Sequence, residues 1–201
     1  ILCAIMITIF SIFFGYKKQY KYIFITIGII LIIISLFLPW WEINGSTKTL
    51  ETSTYLYLFP NKMITITTIE NTIAGEPSYL PSKFLIVIMV LISLVIIGCI
   101  LILINIYFRE KGKKSLEKIS KIIAALSFVG SAFIFIIAMN ELSKVTIGSI
   151  IGNGYLDVGI PGESQFYSVM CNWGFSSGFY LYVITVLIII IISFNSYFKN
   201  R

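Results

Sequence analysis

The fold is decided by one uncharged stretch, Tyr22–Pro39, which reads YIFITIGIILIIISLFLP and leads directly into Trp40-Trp41-Glu42. At about 1.5 Å of rise per residue, a helix of this length measures about 27 Å, close to the hydrocarbon core of a bilayer. Lysines precede the stretch and the tryptophan pair follows it, so its ends carry the basic and aromatic flanks typical of a membrane span. Because proline cannot continue a helix, Pro39 predicts where the span ends.

The composition points to lipid as the surrounding medium. The chain has 201 residues, of which 58% are hydrophobic and 12% are charged, whereas about 25% of residues are charged in a typical soluble domain. A net charge of +6 is compatible with nucleic-acid binding. However, eleven of the 15 Lys and Arg residues lie before Tyr22, in 109–121 or in 199–201. These three places are all on one side of the predicted membrane. We therefore interpret them as topology signals and expect no nucleic-acid partner.

Three further apolar runs predict helices at about 84–108, 119–140 and 173–197, beside 22–38. A shorter helix is expected at about 1–15, for which the remains of a signal segment is the alternative. The predicted fold is an all-α transmembrane helical bundle with four long spans plus this shorter N-terminal helix. It forms a single integral membrane domain, residues 1–201, in the plasma membrane. The inner loop is 109–118, the N-terminus is outside and the C-terminus is cytoplasmic.

Two segments, 39–82 and 143–172, are expected to be outer loops. Thr, Ile, Tyr and Leu enrich 47–59 and 62–69, with Pro60-Asn61 between them, which predicts two strands and a turn. Residues 165–170 are expected to add one strand against the first loop. Together these segments predict a small extracellular β-rich cap on the bundle.

Three glycines are candidate helix-packing residues. Gly130 lies in a run of small residues, and Gly174 and Gly178 are four residues apart at the start of the last predicted span. Small residues at such positions allow helices in lipid to approach closely. The spacing of Gly174 and Gly178 also occurs by chance.

Three tryptophans, Trp40, Trp41 and Trp173, fall at the predicted membrane–water boundary. They are interpreted as interface anchors, with the lining of a ligand groove as the alternative. Asn44-Gly45-Ser46 matches the N-glycosylation acceptor pattern on the same side, with a chance tripeptide as the alternative.

Little catalytic chemistry is encoded in the sequence. The chain has no histidine, which excludes His-ligated metal and haem sites and the commonest general base. No cofactor, metal site or catalytic residue is predicted, and the chain is not expected to be an enzyme.

Six outer carboxylates are expected to be dispersed, although a shared cation is the alternative: Glu42, Glu51, Glu70, Glu76, Asp157 and Glu163. No charged residue lies at mid-depth in a long span, where transport paths place one. Asn105 and Asn195 lie near the inner ends of their spans.

The chain carries one family resemblance. Pro39-Trp40-Trp41 closes one predicted span, and a second segment, Trp173-Gly174 with Gly178-Phe179-Tyr180, opens another. In this arrangement, residues 22–194 resemble small prokaryotic four-span membrane proteins. The two outer loops also resemble claudin-type tetraspan architecture. The first loop lacks the cysteine pair of claudin-type loops, so paracellular function is not implied. The bias towards Ile, Lys and Asn is typical of an AT-rich genome and suggests an archaeal source.

Three functions remain open from the sequence. The first is a non-catalytic structural or accessory subunit of a larger membrane complex, whose partners are other integral membrane subunits and lipid. The second is a surface interaction protein whose outer loops bind envelope components or a neighbouring cell. The third is a channel or transporter component, in which Asn105 or Glu141 would affect flux.

Overall fold

The structure is a computed structural model that describes residues 18–69, 72–159 and 166–198. Its helices are α1 (Lys18–Phe37), α2 (Ser82–Glu110), α3 (Lys114–Thr146) and α4 (Ser177–Phe198). Its strands are β1 (Pro39–Ser46), β2 (Leu50–Tyr57), β3 (Lys62–Ile69), β4 (Thr72–Tyr79), β5 (Gly152–Gly159) and β6 (Phe166–Phe175).

The predicted all-α bundle with a small β-rich cap is wrong. The described chain is mixed α and β, because both segments expected to be outer loops consist largely of strands that join in one six-stranded sheet. The expected strands in 47–59, 62–69 and 165–170 are present as β2, β3 and β6. The sequence analysis missed β1, β4 and β5, and it assigned the end of β6 to a helix.

Three of the described helices are long and apolar enough to cross a membrane, namely Ser82–Glu110, Lys114–Thr146 and Ser177–Phe194. The fourth span, expected at 22–38, corresponds to α1, whose apolar part, Tyr22–Phe37, is shorter than the three helices above. It ends before Leu38 because Pro39 already pairs with Tyr57 as the first residue of β1. The helix expected at 1–15 lies outside the described residues.

The sheet is antiparallel throughout, with the strand order β4-β3-β2-β1-β6-β5. Neighbouring strands β1 to β4 follow one another along the chain, whereas β1 and β6 pair across more than 120 residues of sequence (Gly45 opposite Cys171). One face of the sheet is buried and includes Leu50, Leu56 and Val169. The other face is more exposed, as expected when apolar and polar residues alternate along strands.

The described chain forms two compact units, which we call the helical unit (within 18–34, 89–134 and 181–198) and the sheet unit (within 35–88 and 135–180). In the helical unit, α1 approaches α4 at Gly28. A β-carbon there would lie 2.8 Å from Ile189. In the same unit, α2 approaches α3 at Gly98, where a β-carbon would lie 2.7 Å from the Phe128 ring. At both positions the glycine leaves room for a side chain of the neighbouring helix, which a larger residue would displace.

The turn between α2 and α3 is compact and basic. Gly112 has a φ of 71°, a conformation that glycine adopts without strain, and the Lys113 amide donates to the Phe108 carbonyl at 3.0 Å. Beside the turn, the Asn105 amide donates to the Glu117 carbonyl at 2.7 Å and to Ser120 Oγ at 3.1 Å. Asn105 thereby ties the end of α2 to the start of α3.

Candidate functional site

Two segments that the sequence analysis singled out separately are neighbours in the sheet unit. The strands β1 and β6 pair so that Trp41 lies opposite Phe175 and Ile43 lies opposite Trp173. One residue, Leu38, separates α1 from β1, and one residue, Ser176, separates β6 from α4. The site therefore joins two strands at the points where each meets a helix. We call Trp40, Trp41, Glu42, Trp173 and Ser176 the tryptophan joint.

Trp40 is the centre of an aromatic cluster in the joint. Its side chain is fully buried, and its indole N–H donates to the Ser35 carbonyl at 2.8 Å. Its ring makes edge contacts with Phe135 and Phe179, with centroid distances of 4.9 and 5.6 Å. Phe179 in turn stacks on Phe175 at 4.2 Å. Edge-to-face and offset-stacked rings each contribute about 0.5–1.5 kcal/mol beyond their burial, so this cluster is a major source of stability in the sheet unit.

Trp41 and Trp173 lie on the same face of the sheet and hold one turn. The Trp41 indole N–H donates to the Ile150 carbonyl at 2.9 Å, and the Trp173 indole N–H donates to the Ser149 carbonyl at 3.0 Å. The turn follows α3 and includes Gly148, whose φ is 88°. Both indoles thus satisfy backbone carbonyls in a turn that precedes β5.

The expectation that these three tryptophans anchor the chain at the lipid interface does not agree with their burial. Trp40, Trp41 and Trp173 are 0%, 4% and 8% exposed. An interfacial anchor needs its ring among lipid headgroups, whereas each of these rings is covered by protein. The sequence could not separate the two roles because both use a large apolar ring with one N–H donor.

Glu42 links the joint to the start of α4. Its Oε2 accepts a hydrogen bond from Ser176 Oγ at 2.6 Å, and the Ser176 amide donates to the Trp40 carbonyl at 3.1 Å. Ser176 is 5% exposed and directly precedes α4. A carboxylate near a helix N-terminus interacts favourably with the helix dipole, typically by about 0.3–1 kcal/mol. Glu42 is therefore placed to stabilise the strand-to-helix connection.

The three candidate packing glycines lie in different environments. Gly174 is in β6 and Gly178 is in α4, so the pair does not form a helix face, contrary to expectation. A β-carbon at Gly178 would lie 2.7 Å from Trp40 and 2.8 Å from the carbonyls of Leu38 and Pro39. Gly178 therefore allows α4 to begin against β1. A β-carbon at Gly130 would meet nothing within 4 Å.

Two groups of packing residues in the helical unit were missed. Gly28 and Gly98 make the close approaches described above, although neither stands out in a run of small residues. The Tyr182 hydroxyl donates to the Phe128 carbonyl at 3.0 Å and lies 2.5 Å from Ser131 Oγ. Ser131 directly follows Gly130 in the same run of small residues, and that run was the sequence signal for this contact between α3 and α4.

Asn44 lies in the middle of the sheet and is partly exposed. Its backbone is opposite Ser53 of β2 on one side and Asn172 of β6 on the other. The structure does not test whether this site is glycosylated.

The outer carboxylates do not gather in the described part of the chain. Glu42 is engaged by Ser176, and Glu51 and Asp157 are exposed on strands at different positions in the sheet. Glu70 and Glu163 lie outside the described residues, as does the side chain of Glu76. Among the residues described, no group of three or more His, Cys, Asp or Glu side chains has the arrangement of a metal site.

The polar residues considered for a conduction path have local partners. Asn105 is 7% exposed and donates to α3 as described above. Glu141 forms an ion pair with Lys144 at 2.7 Å on the exposed surface. The side chain of Asn195 is outside the described set. These contacts give the channel hypothesis no specific support.

Burial also changes the chemistry of one residue beside the joint. Cys171 in β6 is fully buried, and burial raises the pKa of its thiol. A β-carbon at Gly45, its partner in β1, would collide with the Cys171 sulfur. The thiol therefore fills the space above a glycine. Its buried environment favours the neutral form of the thiol, which is typical of an unreactive core cysteine.

No protein-family profile matches the chain, and no curated protein is similar to it in sequence. The resemblance to small prokaryotic four-span proteins therefore stays a prediction, and any function must be argued from the geometry.

Proposed function

We propose that the chain is a non-catalytic structural or accessory subunit of a larger complex in the plasma membrane. The three long apolar helices support a membrane location, and between 28% and 39% of residues in their most apolar windows are buried within the chain. The remaining helix surfaces are therefore available to lipid and to the helices of partner subunits. The basic turn between α2 and α3 supports a cytoplasmic position for that turn and for the C-terminus, with the N-terminus outside.

The observation that carries this proposal is an exposed face of α3. Leu126, Phe133 and Ile137 are 66%, 60% and 62% exposed, and they share one helix face with Gly130. Because a β-carbon at Gly130 would contact nothing in this chain, the glycine forms a notch between bulky apolar side chains. Such a notch allows the backbone of another helix to approach closely, which is how helices in lipid associate.

Purification from native membranes in mild detergent tests the proposal. The tagged wild-type chain is expected to co-purify with one defined set of integral membrane proteins. Gly130→Leu fills the notch and is expected to lose that set. The control Val90→Leu enlarges an exposed apolar residue of α2 and is expected to retain it. A wild-type chain that elutes as a lone monodisperse monomer would contradict the proposal.

A second function, attachment to envelope components, is favoured by the exposed face of the sheet. Ile73, Tyr155 and Phe166 are each 74% exposed on β4, β5 and β6. Exposed apolar side chains that adjoin one another often mark interaction sites. Tyr155 and Phe166 belong to paired strands, whereas Ile73 lies on the opposite edge of the sheet. Because β2 and β3 lie in the interior of the sheet order, point substitutions test this function better than deletion of a whole strand. Serine substitutions at the three exposed positions should abolish attachment to isolated envelope material while membrane insertion is unchanged, and unchanged attachment would reject this function.

A further inference from the structure

The two edges of the sheet differ in how well they are protected against pairing with another chain. β4 forms one edge and contains Pro77, which has no amide N–H to offer, beside Glu76. β5 forms the other edge of the described sheet, and its eight residues read GNGYLDVG. It has no proline and no lysine, which natural proteins place on edge strands to prevent pairing, and its one charged residue is Asp157.

On the buried side of the sheet, the residues of β5 are complementary to those of a second β5 in antiparallel orientation. Gly152 and Gly154 occupy the first half of the strand, and Leu156 and Val158 occupy the second half. If a second β5 pairs antiparallel with Tyr155 opposite its own copy, each glycine lies opposite an aliphatic residue. The Trp173 ring already lies against both glycines, since β-carbons there would be 3.1 and 3.3 Å from it. The incoming leucine and valine would therefore extend the same apolar layer.

The other side of β5 is complementary in the same register. It carries Asn153, Tyr155 and Asp157, all exposed. With the two Tyr155 residues opposed, each Asn153 amide lies opposite an Asp157 carboxylate of the second copy, and directly opposed side chains have β-carbons about 4.5–5.5 Å apart. The two Asp157 carboxylates are then separated by roughly 14 Å along the strands. Shifting the register by two residues in either direction removes the pairing of Asn153 with Asp157.

From this self-complementarity we propose that β5 pairs with β5 of a second copy of this chain, joining two six-stranded sheets into one sheet of twelve strands. The pairing surface is defined by Gly152–Gly159, and the two-fold axis passes beside Tyr155. The inference does not depend on the proposed function, because it concerns the edge of the sheet and not the exposed face of α3.

Cysteine crosslinking of the full chain in its membrane tests both the pairing and its register. The background carries Cys3→Ala, Cys99→Ala and Cys171→Ala. In this background, Tyr155→Cys is expected to give a crosslinked dimer with a short thiol-to-thiol reagent. The matched control is Ile73→Cys on the opposite edge strand, which has the same 74% exposure and is expected to stay monomeric.

Two differently tagged chains make the test more specific. Asn153→Cys in one chain and Asp157→Cys in the other are expected to crosslink to each other when co-expressed, while each variant expressed alone gives little product. Leu156→Pro places in β5 a residue without an amide N–H and should abolish the Tyr155→Cys dimer. Equal crosslinking at Tyr155 and Ile73 would indicate random collision and overturn the proposal. Absence of the Tyr155 dimer, or occupation of the edge by another part of the same chain, would overturn it as well.

Discussion

The contrast between Gly178 and Gly130 gives the sharpest test of the packing at the tryptophan joint. Both glycines are in helices, and both are changed to alanine. At Gly178 the new methyl group meets Trp40 at 2.7 Å and the carbonyls of Leu38 and Pro39 at 2.8 Å. Two of these three neighbours are backbone atoms, so the contact cannot be relieved by rotating a side chain. Overpacking of this kind costs about 1–3 kcal/mol.

At Gly130 the same methyl group meets nothing within 4 Å. Replacing an interior helix glycine by alanine then favours the folded state by up to about 1 kcal/mol, since alanine has the higher helix propensity. The two variants are therefore expected to change stability in opposite directions. For a chain of this length, 1 kcal/mol corresponds to a shift in Tm of about 2–4 °C.

The assay is unfolding of the detergent-solubilised chain, followed by tryptophan fluorescence and by far-UV circular dichroism. The three tryptophans all lie in the joint, so the fluorescence reports on it directly. Gly178→Ala should lower the Tm of both signals and Gly130→Ala should leave it unchanged or raise it. If Gly178→Ala is as stable as the wild type, α4 does not begin against β1 as described, and the reasoning about the joint fails.

Three further variants test other contacts. Trp40→Phe keeps an aromatic ring but loses the indole bond to the Ser35 carbonyl, and a loss of about 1–3 kcal/mol is expected in the same unfolding assay. An unchanged Tm would show that this bond contributes nothing. Asn105→Ala should cost only about 1 kcal/mol, because Ser120 Oγ still donates to the Glu117 carbonyl, and a loss several times larger would contradict this network. Burial raises the pKa of the Cys171 thiol in the folded chain above the ordinary value of 9.0. The unfolded chain therefore loses the thiol proton at a lower pH than the folded chain does. As a result, the free energy of unfolding should fall as pH rises above 9.0. Cys171→Ala should reduce that slope in a pH series of melting curves, and an identical slope would exclude the effect.

The helices were predictable because long apolar runs are a strong local signal. The run predicted at 84–108 corresponds to α2, Ser82–Glu110. The inner loop expected at 109–118 is a shorter turn, because α3 already begins at Lys114. The hairpin of β2 and β3 was also predicted. Its turn contains Asn61 with a φ of 63°, a conformation that asparagine tolerates better than most residues.

The pairing of β1 with β6 could not be predicted from the sequence. Local patterns indicate that a segment is extended, but they carry no information on which distant strand it will join. Without that pairing, 39–82 and 143–172 read as separate loops, and a small cap was the natural conclusion. The sheet order shows instead that β1 occupies an interior position and brings the two segments together.

The error at Trp173 had a readable signal that was given too little weight. Val169, Cys171 and Trp173 are buried, and the residues between them, Met170 and Asn172, are exposed. This alternation has the period of two residues expected for a strand, and it includes Trp173, after which Gly174 and Phe175 are both half-buried. The aromatic residue and the following glycine suggested the start of a span, because tryptophans are common at membrane boundaries.

The consequence for function follows from where that strand ends. A membrane anchor could have been lost or moved without changing the rest of the fold, whereas Trp173 and Trp41 fix the turn that leads into β5. The position of the β5 edge, which we propose as the pairing surface, therefore depends on two indole hydrogen bonds on the buried face of the sheet. Trp173→Phe retains a ring against Gly152 and Gly154 but removes the bond to the Ser149 carbonyl. It should weaken the Tyr155 crosslink more than it lowers the Tm of the chain, and a variant that crosslinks as well as the wild type would show that the turn does not position β5.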